Sequence, residues 1–531
     1  MSKHVFWAHT LFCFASFYSF LRFRLNKNQL EKVQRKKLKH ILSQLTGTQT
    51  LAGTSENYAE YEDFTQAFAV TTYKDWQAAI LRQMRQGEQG MVCYDCHRYQ
   101  PTSGSTDTQK WIPYSKALLT EFGYASSAWL FDVYRANKTL LTTKHYWSLS
   151  WLPDNQRTSQ ANLNDGELFS IFKRYLLGRM FVVPESVSLA KTDRDAMIAT
   201  ACFLCAEKRL GLISVWSPSF ALNLLETILR HKEYIQAVLA SGSWGVLGES
   251  LKQTKAPFAP KRVELLQELV EMEDSDFWKI FWPQLTLVSC WDTALAKTGA
   301  IKLKKILTHA TLQGKGLWST ESVVSIPFAS QYPLAYQSHF YEFECAETAL
   351  ILPSWQLSLG MKVIPIVTTG SGLIRYKNND LIEVTGFYGD IPSFTFLSRI
   401  GHNDFVGEKL ANEFVAHVIQ HISIQFPNSK PLTLLACEDK KPKYVLILDG
   451  IWRDDLSAIK TALASLLRTS FHYNLARDLG QLAPEEVLYA ENAHQKHLEL
   501  MARQGLIKGQ VKIEAITVVK KIEDLNLFYE H

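Results

Sequence analysis

Between Val323 and Ser398 six short apolar or alternating runs follow one another: VVSIPF, SHFYEFE, KVIPIVTT, GLIRYK, DLIEVTGF and SFTFLS, with glycine- and aspartate-rich turns between them. Period-two alternation sends successive side chains to opposite faces, so these runs predict strands, mostly antiparallel, in a sheet or distorted barrel. Upstream, residues 165–300 alternate helical patterns with short apolar runs. Leu212–Val215 followed by Ser217-Pro218-Ser219 reads as a strand, a turn and a helix start with proline in the first turn. Leu285–Ser289 reads as another short strand. The alternation predicts an α/β domain on which the β-rich part packs.

The two ends of the chain differ from this middle. Residues 1–100 read as largely helical, with amphipathic patterns over Asn28–Leu45 and Tyr73–Gln86. The run Lys32–His40 is the only dense basic patch. It reads as the solvated face of a helix whose apolar stripe is Leu30, Val33, Leu38 and Ile41. Val5–Leu21 is about 17 residues of aromatic-rich sequence, short for a membrane span, and lacks the basic flank and cleavage site of a signal peptide. It reads as a helix packed on the core, with peripheral membrane contact as the alternative. After Arg399 the pattern predicts a helix over Gly407–Ile422, strands at Thr433–Ala436, Tyr444–Leu448 and Val487–Tyr489, and helices over Asp455–Ser470 and Ala493–Gln504. The expected organisation is a large N-terminal α/β domain with a β-rich, barrel-like part over residues 1–401. A small mobile α+β domain follows over residues 402–531, with the hinge at Ile400–Phe405.

A chain of 531 residues with 47% apolar and 21% charged residues is ordinary globular material. A net charge of +5 is too small for a dedicated nucleic-acid binder. Eight cysteines in this length do not make a disulfide framework, and the expected location is cytoplasmic, with free thiols. Cys93-Tyr94-Asp95-Cys96-His97 matches a c-type haem attachment pattern, but attachment requires export and no export signal is present. Cys202 and Cys205 lie in an apolar helical segment and read as buried thiols.

The chemistry-bearing stretch is Thr102-Ser103-Gly104-Ser105-Thr106-Asp107-Thr108-Gln109-Lys110. Hydroxyls and backbone N–H groups donate to phosphate oxygens, glycine lets the backbone approach, and lysine adds a mobile positive charge. Alone, the stretch reads first as a polar surface loop, and it lacks Walker spacing. If it runs into the helix predicted over Ser115–Tyr134, the helix N-terminus adds favourable potential. Three later stretches complete it. Glu321, after Ser319 and Thr320 at a strand edge, suits a magnesium ligand. Asp380, opening the DLIEVTGF run, is an acceptor that suits two ribose hydroxyls. Gly407-Glu408-Lys409-Leu410 follows the expected hinge.

In this order and spacing, TSGSTDTQKWIP, LQGKGLWSTESVVSIP, SHFYEFE, GLIRYKNNDLIEVTGF, GEKL and YNLARDLGQLAPEEV resemble adenylate-forming enzymes. More closely they resemble the auxin-responsive Gretchen Hagen acyl-acid amido synthetase family in its bacterial form. The resemblance covers roughly residues 28–515. It implies a ligase that uses ATP and Mg2+ to activate a carboxylic acid as an acyl-adenylate and then forms an amide with an amine such as an amino acid. Two alternatives remain at this stage: a thiol acceptor such as coenzyme A, and a catalytically degenerate nucleotide-binding protein. By motif position, Thr102, Ser103, Gly104, Ser105, Thr106 and Lys110 would hold phosphates. Glu321 would ligate the metal with Thr320 beside it, and Thr369, within Thr368–Gly372, would line the adenine and acyl-adenylate pocket. Asp380 and Arg399 would serve the ribose, and Lys512, with Lys508 second, would reach the α-phosphate. The pattern departs at Asp107 and Asn379, where glycine is expected, at Lys377, where arginine is usual, and at Leu317, where tyrosine would stack on adenine.

Overall fold

The computed structural model describes residues 3–51, 60–88, 90, 92–101, 110–148, 178–294, 296–399, 402–403, 405–406, 408, 410–438, 441–450, 456–478, 480–504, 511–519 and 522–529. The chain forms two compact units. The first runs to Asn378 and resumes over Ile382–Phe396; the second comprises Asn379–Leu381 and Leu397 onward. The fold is mixed α/β, as the alternation of patterns predicts.

The first unit holds a four-stranded parallel sheet in sequential order, Lys144–Trp147, Leu210–Ser214, Leu287–Ser289 and Thr311–Gln313. Parallel strands need crossovers, and helices supply them. One is Asp193–Ala206, on which Cys202 and Cys205 are fully buried. Another is Pro218–Arg230, with Pro218 in its first turn and the Ser217 hydroxyl accepting from the Ser219 N–H at 3.2 Å.

Beside it in sequence comes an antiparallel sheet. Its strand order is Ile391–Arg399, Asp380–Tyr388, Lys362–Thr368, Phe340–Cys345 and Ile351–Pro353, with Tyr376–Lys377 also on Lys362–Thr368. Two of the expected strands fall short. VVSIPF pairs through isolated bridges, Trp318 to Val323, Ser325 to Leu334 and Phe328 to Gln331. Here the chain folds back on itself: the Leu317 N–H donates to both the carbonyl and the hydroxyl of Ser325. GLIRYK is extended only at Tyr376–Lys377, because Arg375 turns the backbone at φ 46°.

Helices frame the unit. Tyr73–Gln86 starts at a capping box in which the Asp75 carboxylate accepts from the Thr72 N–H at 2.7 Å. Leu30–Leu45 buries Leu30, Leu38 and Ile41 of the expected stripe, with Val33 half-buried, and Gln34 stitches the sheet: its amide donates to the Tyr336 and His339 carbonyls and accepts from the Tyr341 N–H. The expected solvated face of the helix's basic run is interrupted: Lys37 is buried with its ammonium 5.0 Å from the centre of the Tyr124 ring, and burial lowers its pKa. The N-terminal helix, Lys3–Leu25, packs on Lys116–Ala136 through Phe20 on Phe131 and His9 against Tyr134. Burying Phe12, Phe20 and Phe23 contributes roughly 1.5–3 kcal/mol each. Among the described residues no helix is long and apolar enough to cross a membrane.

The second unit is built on a mixed sheet in the order Glu486–Ala490, Lys443–Asp449, Pro431–Cys437 and Ile516–Val519. Helices Asn412–Gln425, Leu456–Leu467, Phe471–Asp478 and Ala493–Arg503 accompany it. The first starts later than the expected Gly407, because Leu410–Ala411 pairs with His402–Asn403. The buried Glu408 carboxylate fixes that turn, accepting from the Phe405 and Val406 N–H groups and from the Tyr444 hydroxyl at 2.5 Å.

Candidate active site

The phosphate-loop candidates Thr102, Ser103, Gly104, Ser105 and Thr106, with Asp107, lie outside the described residues. Their flanks are described: Cys96–Pro101 pairs antiparallel with Trp111–Ser115, Pro101 opposite Trp111. The loop therefore joins two strands. The condition for a helix N-terminus at its end is not met: the strand Trp111–Ser115 precedes the helix Lys116–Ala136.

Lys110 closes the loop, its ammonium 5.8 Å from the centre of the Tyr73 ring. The Tyr73 hydroxyl accepts from the Trp111 N–H at 2.7 Å, which anchors the closing end of the loop to the helix Tyr73–Gln86. Burial raises the Tyr73 phenol pKa; the Trp111 N–H opposes that and the Glu321 carboxylate adds to it. Tyr73 thus meets the lysine that ends the stretch and feels the charge of the acidic candidate, a link that no motif pointed to.

Glu321 and Thr320 sit, half-buried, at the tip of a tight turn closed by the Trp318–Val323 bridge. The Ser319 N–H donates to the Ser322 carbonyl at 2.9 Å, and the Ser322 N–H to the Ser319 hydroxyl at 3.1 Å. Tyr114, on the strand after the loop, donates to the Thr320 carbonyl at 3.1 Å. From the other side Asn378 donates to the Ser322 hydroxyl at 3.4 Å. A half-buried carboxylate on a braced turn, with hydroxyl oxygens on both sides, fits the oxygen-ligand chemistry of Mg2+.

Thr369 begins a second buried turn. Its hydroxyl meets that of Ser371 at 2.6 Å, and the Gly372 N–H donates to the Thr369 carbonyl. Gly372 has φ 92°, and a Cβ there would come within 2.0 Å of the Val92 carbonyl oxygen, so no other residue fits. The Ser115 hydroxyl caps the helix Lys116–Ala136 by accepting from the Leu118 N–H, and donates to the Gly370 carbonyl at 2.6 Å.

A buried pair joins the two turns. His339 Nδ1 and Glu121 Oε2 are 2.7 Å apart, both side chains sealed from solvent. His339 Nε2 accepts from the Val323 N–H at 3.1 Å, which leaves Nδ1 as the donor to Glu121. The same carboxylate accepts from the Gly370 N–H at 3.0 Å. The pair therefore fixes the backbone two residues after Glu321 and one residue after Thr369. Tyr341, the other aromatic on this strand, is a core residue that donates to the Val323 carbonyl at 2.6 Å.

Asp380 opens the strand Asp380–Tyr388. The segment before it is fixed by ion pairs: Arg375 grips the buried Glu342 through two bonds of 2.9 Å, and Lys377 meets Glu344 at 2.6 Å. Lysine at position 377 thus retains a structural partner. Arg399 ends the strand Ile391–Arg399. Lys512 lies in the second unit, half-buried, between helix Ala493–Arg503 and strand Ile516–Val519; Lys508 lies outside the described residues. The YNLARDLGQLAPEEV stretch is internally tied, since Tyr473 and Arg477 both donate to Glu485.

The GH3 family N-terminal domain profile matches residues 21–312, and the GH3 family central domain profile matches residues 332–399. The chain belongs to the GH3 family. Indole-3-acetic acid-amido synthetase GH3.15 of Arabidopsis thaliana is 38% identical over 53 residues, which are 10% of this chain and 9% of that enzyme's length. The solved structure of GH3.15 acyl acid amido synthetase is similar over 94% of this chain and 93% of that one, at TM-score 0.77 and 17% identity. AtGH3.15 acyl acid amido synthetase in complex with 2,4-DB gives TM-score 0.79 at 17% identity, over 97% and 95% of the two chains. At this identity the likeness is one of fold: this GH3 chain has the architecture of those enzymes.

Proposed function

We propose that this chain is an ATP-dependent acyl-acid amido synthetase. It activates a carboxylic acid as an acyl-adenylate with release of pyrophosphate, then transfers the acyl group to an amine of the amino-acid class, with AMP as the second product. Membership of the GH3 family supports the reaction class. The observation that carries the site is the tie between the Thr369 turn and the Glu321 turn through Glu121 and His339, with Lys110 held over the Tyr73 ring.

Each residue then has a task. Lys110 and the loop from Thr102 to Thr106 hold the phosphates and offset charge on the departing pyrophosphate. Glu321, with Thr320 beside it, would hold a magnesium ion, which when bound screens the phosphate charge. The buried Thr369 turn offers a dry wall for the adenine and the acyl group, and excluding water protects the acyl-adenylate. Asp380 would accept from the ribose hydroxyls, with Arg399 supporting them, and Lys512 would serve the α-phosphate. A cytoplasmic setting suits soluble substrates of this kind.

The test is product analysis over a panel of carboxylic acids with ATP and Mg2+, adding amino acids or coenzyme A in turn. The proposal expects acid-dependent pyrophosphate and an amide that forms only with the amine. Thioester formation on coenzyme A in place of amide would move the chain to the thiol-acceptor class. Failure to bind ATP by calorimetry would mark it as degenerate.

A further inference from the structure

The N-terminal helix Lys3–Leu25 is apolar on two opposite faces. The inner face, Val5, Ala8, Phe12, Phe20 and Phe23, is buried against the core. The outer face carries Trp7, Leu11, Phe14, Tyr18, Leu21 and Leu25, spaced four, three, four, three and four residues apart, which keeps them on one side of a helix. Trp7 is 59% exposed, Leu11 44%, Phe14 81%, Tyr18 68% and Leu25 66%. Single exposed apolar side chains are ordinary, but a continuous stripe opposite a fully packed face is not. Other exposed large apolar side chains, such as Val246, Val270 and Ile424, stand on separate elements.

Charge identifies what covers the stripe. The first 45 residues contain nine lysines and arginines against one glutamate, whereas the whole chain carries 57 against 52. The rest of the molecule is therefore net acidic, 48 against 51, and the excess of positive charge lies in this N-terminal segment. Within it Lys37 is buried and Arg35 and Lys39 pair with Glu31, Glu60 and Glu62, while Arg24, Lys32 and Lys36 are exposed. The helix itself has no aspartate or glutamate. A second copy laid on the stripe would set Arg22 and Arg24 against like charges with no acidic partner, which disfavours self-pairing. Aromatic side chains with polar edges, leucines and flanking cations suit the boundary between lipid headgroups and acyl chains.

We propose that the outer face of the N-terminal helix docks this chain on an anionic lipid surface, the helix lying in the plane of the interface. Trp7, Phe14 and Tyr18 enter the headgroup layer, while Arg24, Lys32 and their neighbours meet the lipid charge. The helix is anchored by one face; among the described residues no helix is long and apolar enough to cross a membrane. This inference does not depend on the reaction proposed above.

The test is co-sedimentation of the full chain with phosphatidylcholine vesicles, with and without phosphatidylglycerol. The expected result is binding that requires phosphatidylglycerol and weakens as salt is raised. Phe14→Ser and Tyr18→Ser, both exposed and so compatible with folding, should each weaken partitioning roughly tenfold or more. Unchanged circular dichroism and melting would confirm that the variants fold. An Arg24→Gln, Lys32→Gln variant should lose the preference for anionic vesicles. Absence of binding to anionic vesicles, or full binding by the Phe14 and Tyr18 variants, overturns the proposal. A dimer in sedimentation velocity that those variants abolish, with no vesicle binding, would assign the stripe to a second copy instead.

Discussion

Tyr73 is the residue on which the candidate site depends most and the one least marked in the sequence. Its hydroxyl holds the Trp111 N–H at 2.7 Å, its ring faces Lys110, and Glu321 acts on it electrostatically. We predict that Tyr73→Phe keeps the fold but releases the closing end of the phosphate loop. The loss of one buried hydrogen bond, about 1–2 kcal/mol, should appear as a raised KM for ATP in pyrophosphate exchange. An unchanged KM would remove Tyr73 from the site. At the same scale, burial lowers the His9 pKa from 6.5 to about 4. Its Nε2 donates to the Thr143 carbonyl and its Nδ1 accepts from Tyr134, both at 2.8 Å, so the folded protein keeps the ring neutral. Between pH 6.5 and 4 the unfolded chain binds a proton that the folded chain does not, so stability is present above 6.5 and falls as pH falls. The effect is on the order of 3 kcal/mol. Chemical denaturation across that range should show the decline, and His9→Gln should flatten part of it; equal slopes would exclude His9 as the cause.

At the scale of elements, two turns carry the candidate groups, and the Glu121–His339 pair ties them together. Replacing His339 with leucine leaves the Glu121 carboxylate and the Val323 N–H buried without their partner. We predict a destabilisation of about 3–5 kcal/mol, read as a lowered urea midpoint. A Glu121→Gln variant, which retains the acceptor oxygen, should lose less. Equal loss in both would mean that His339 serves packing alone. Much of this scale was legible in sequence. The strand Lys362–Thr368 follows from a short continuous apolar run, buried on both faces, Asp380–Tyr388 from its apolar strand pattern, and the helix Tyr73–Gln86 from its amphipathic spacing. The rest was not, for definite reasons. VVSIPF has the pattern of a strand, but it is spent on a local fold-back onto Leu317. Lys37 was assigned to a solvated face because a helical stripe cannot show that Tyr124 lies over it. Glu121 and His339 are 218 residues apart, and neither falls in a motif that names the other.

At the scale of the molecule, the profiles show membership of the GH3 family and the likeness to solved structures shows the architecture; the reaction and its place on the two turns are the proposal made above. The most direct test of that account is acid-dependent pyrophosphate release from ATP and Mg2+, compared between the natural chain and Glu321→Ala. We predict release only when an acceptable carboxylic acid is present, abolished by chelating the metal, and reduced about 100-fold or more in the variant, with folding unchanged. Full-rate release by Glu321→Ala would contradict the assignment of the site.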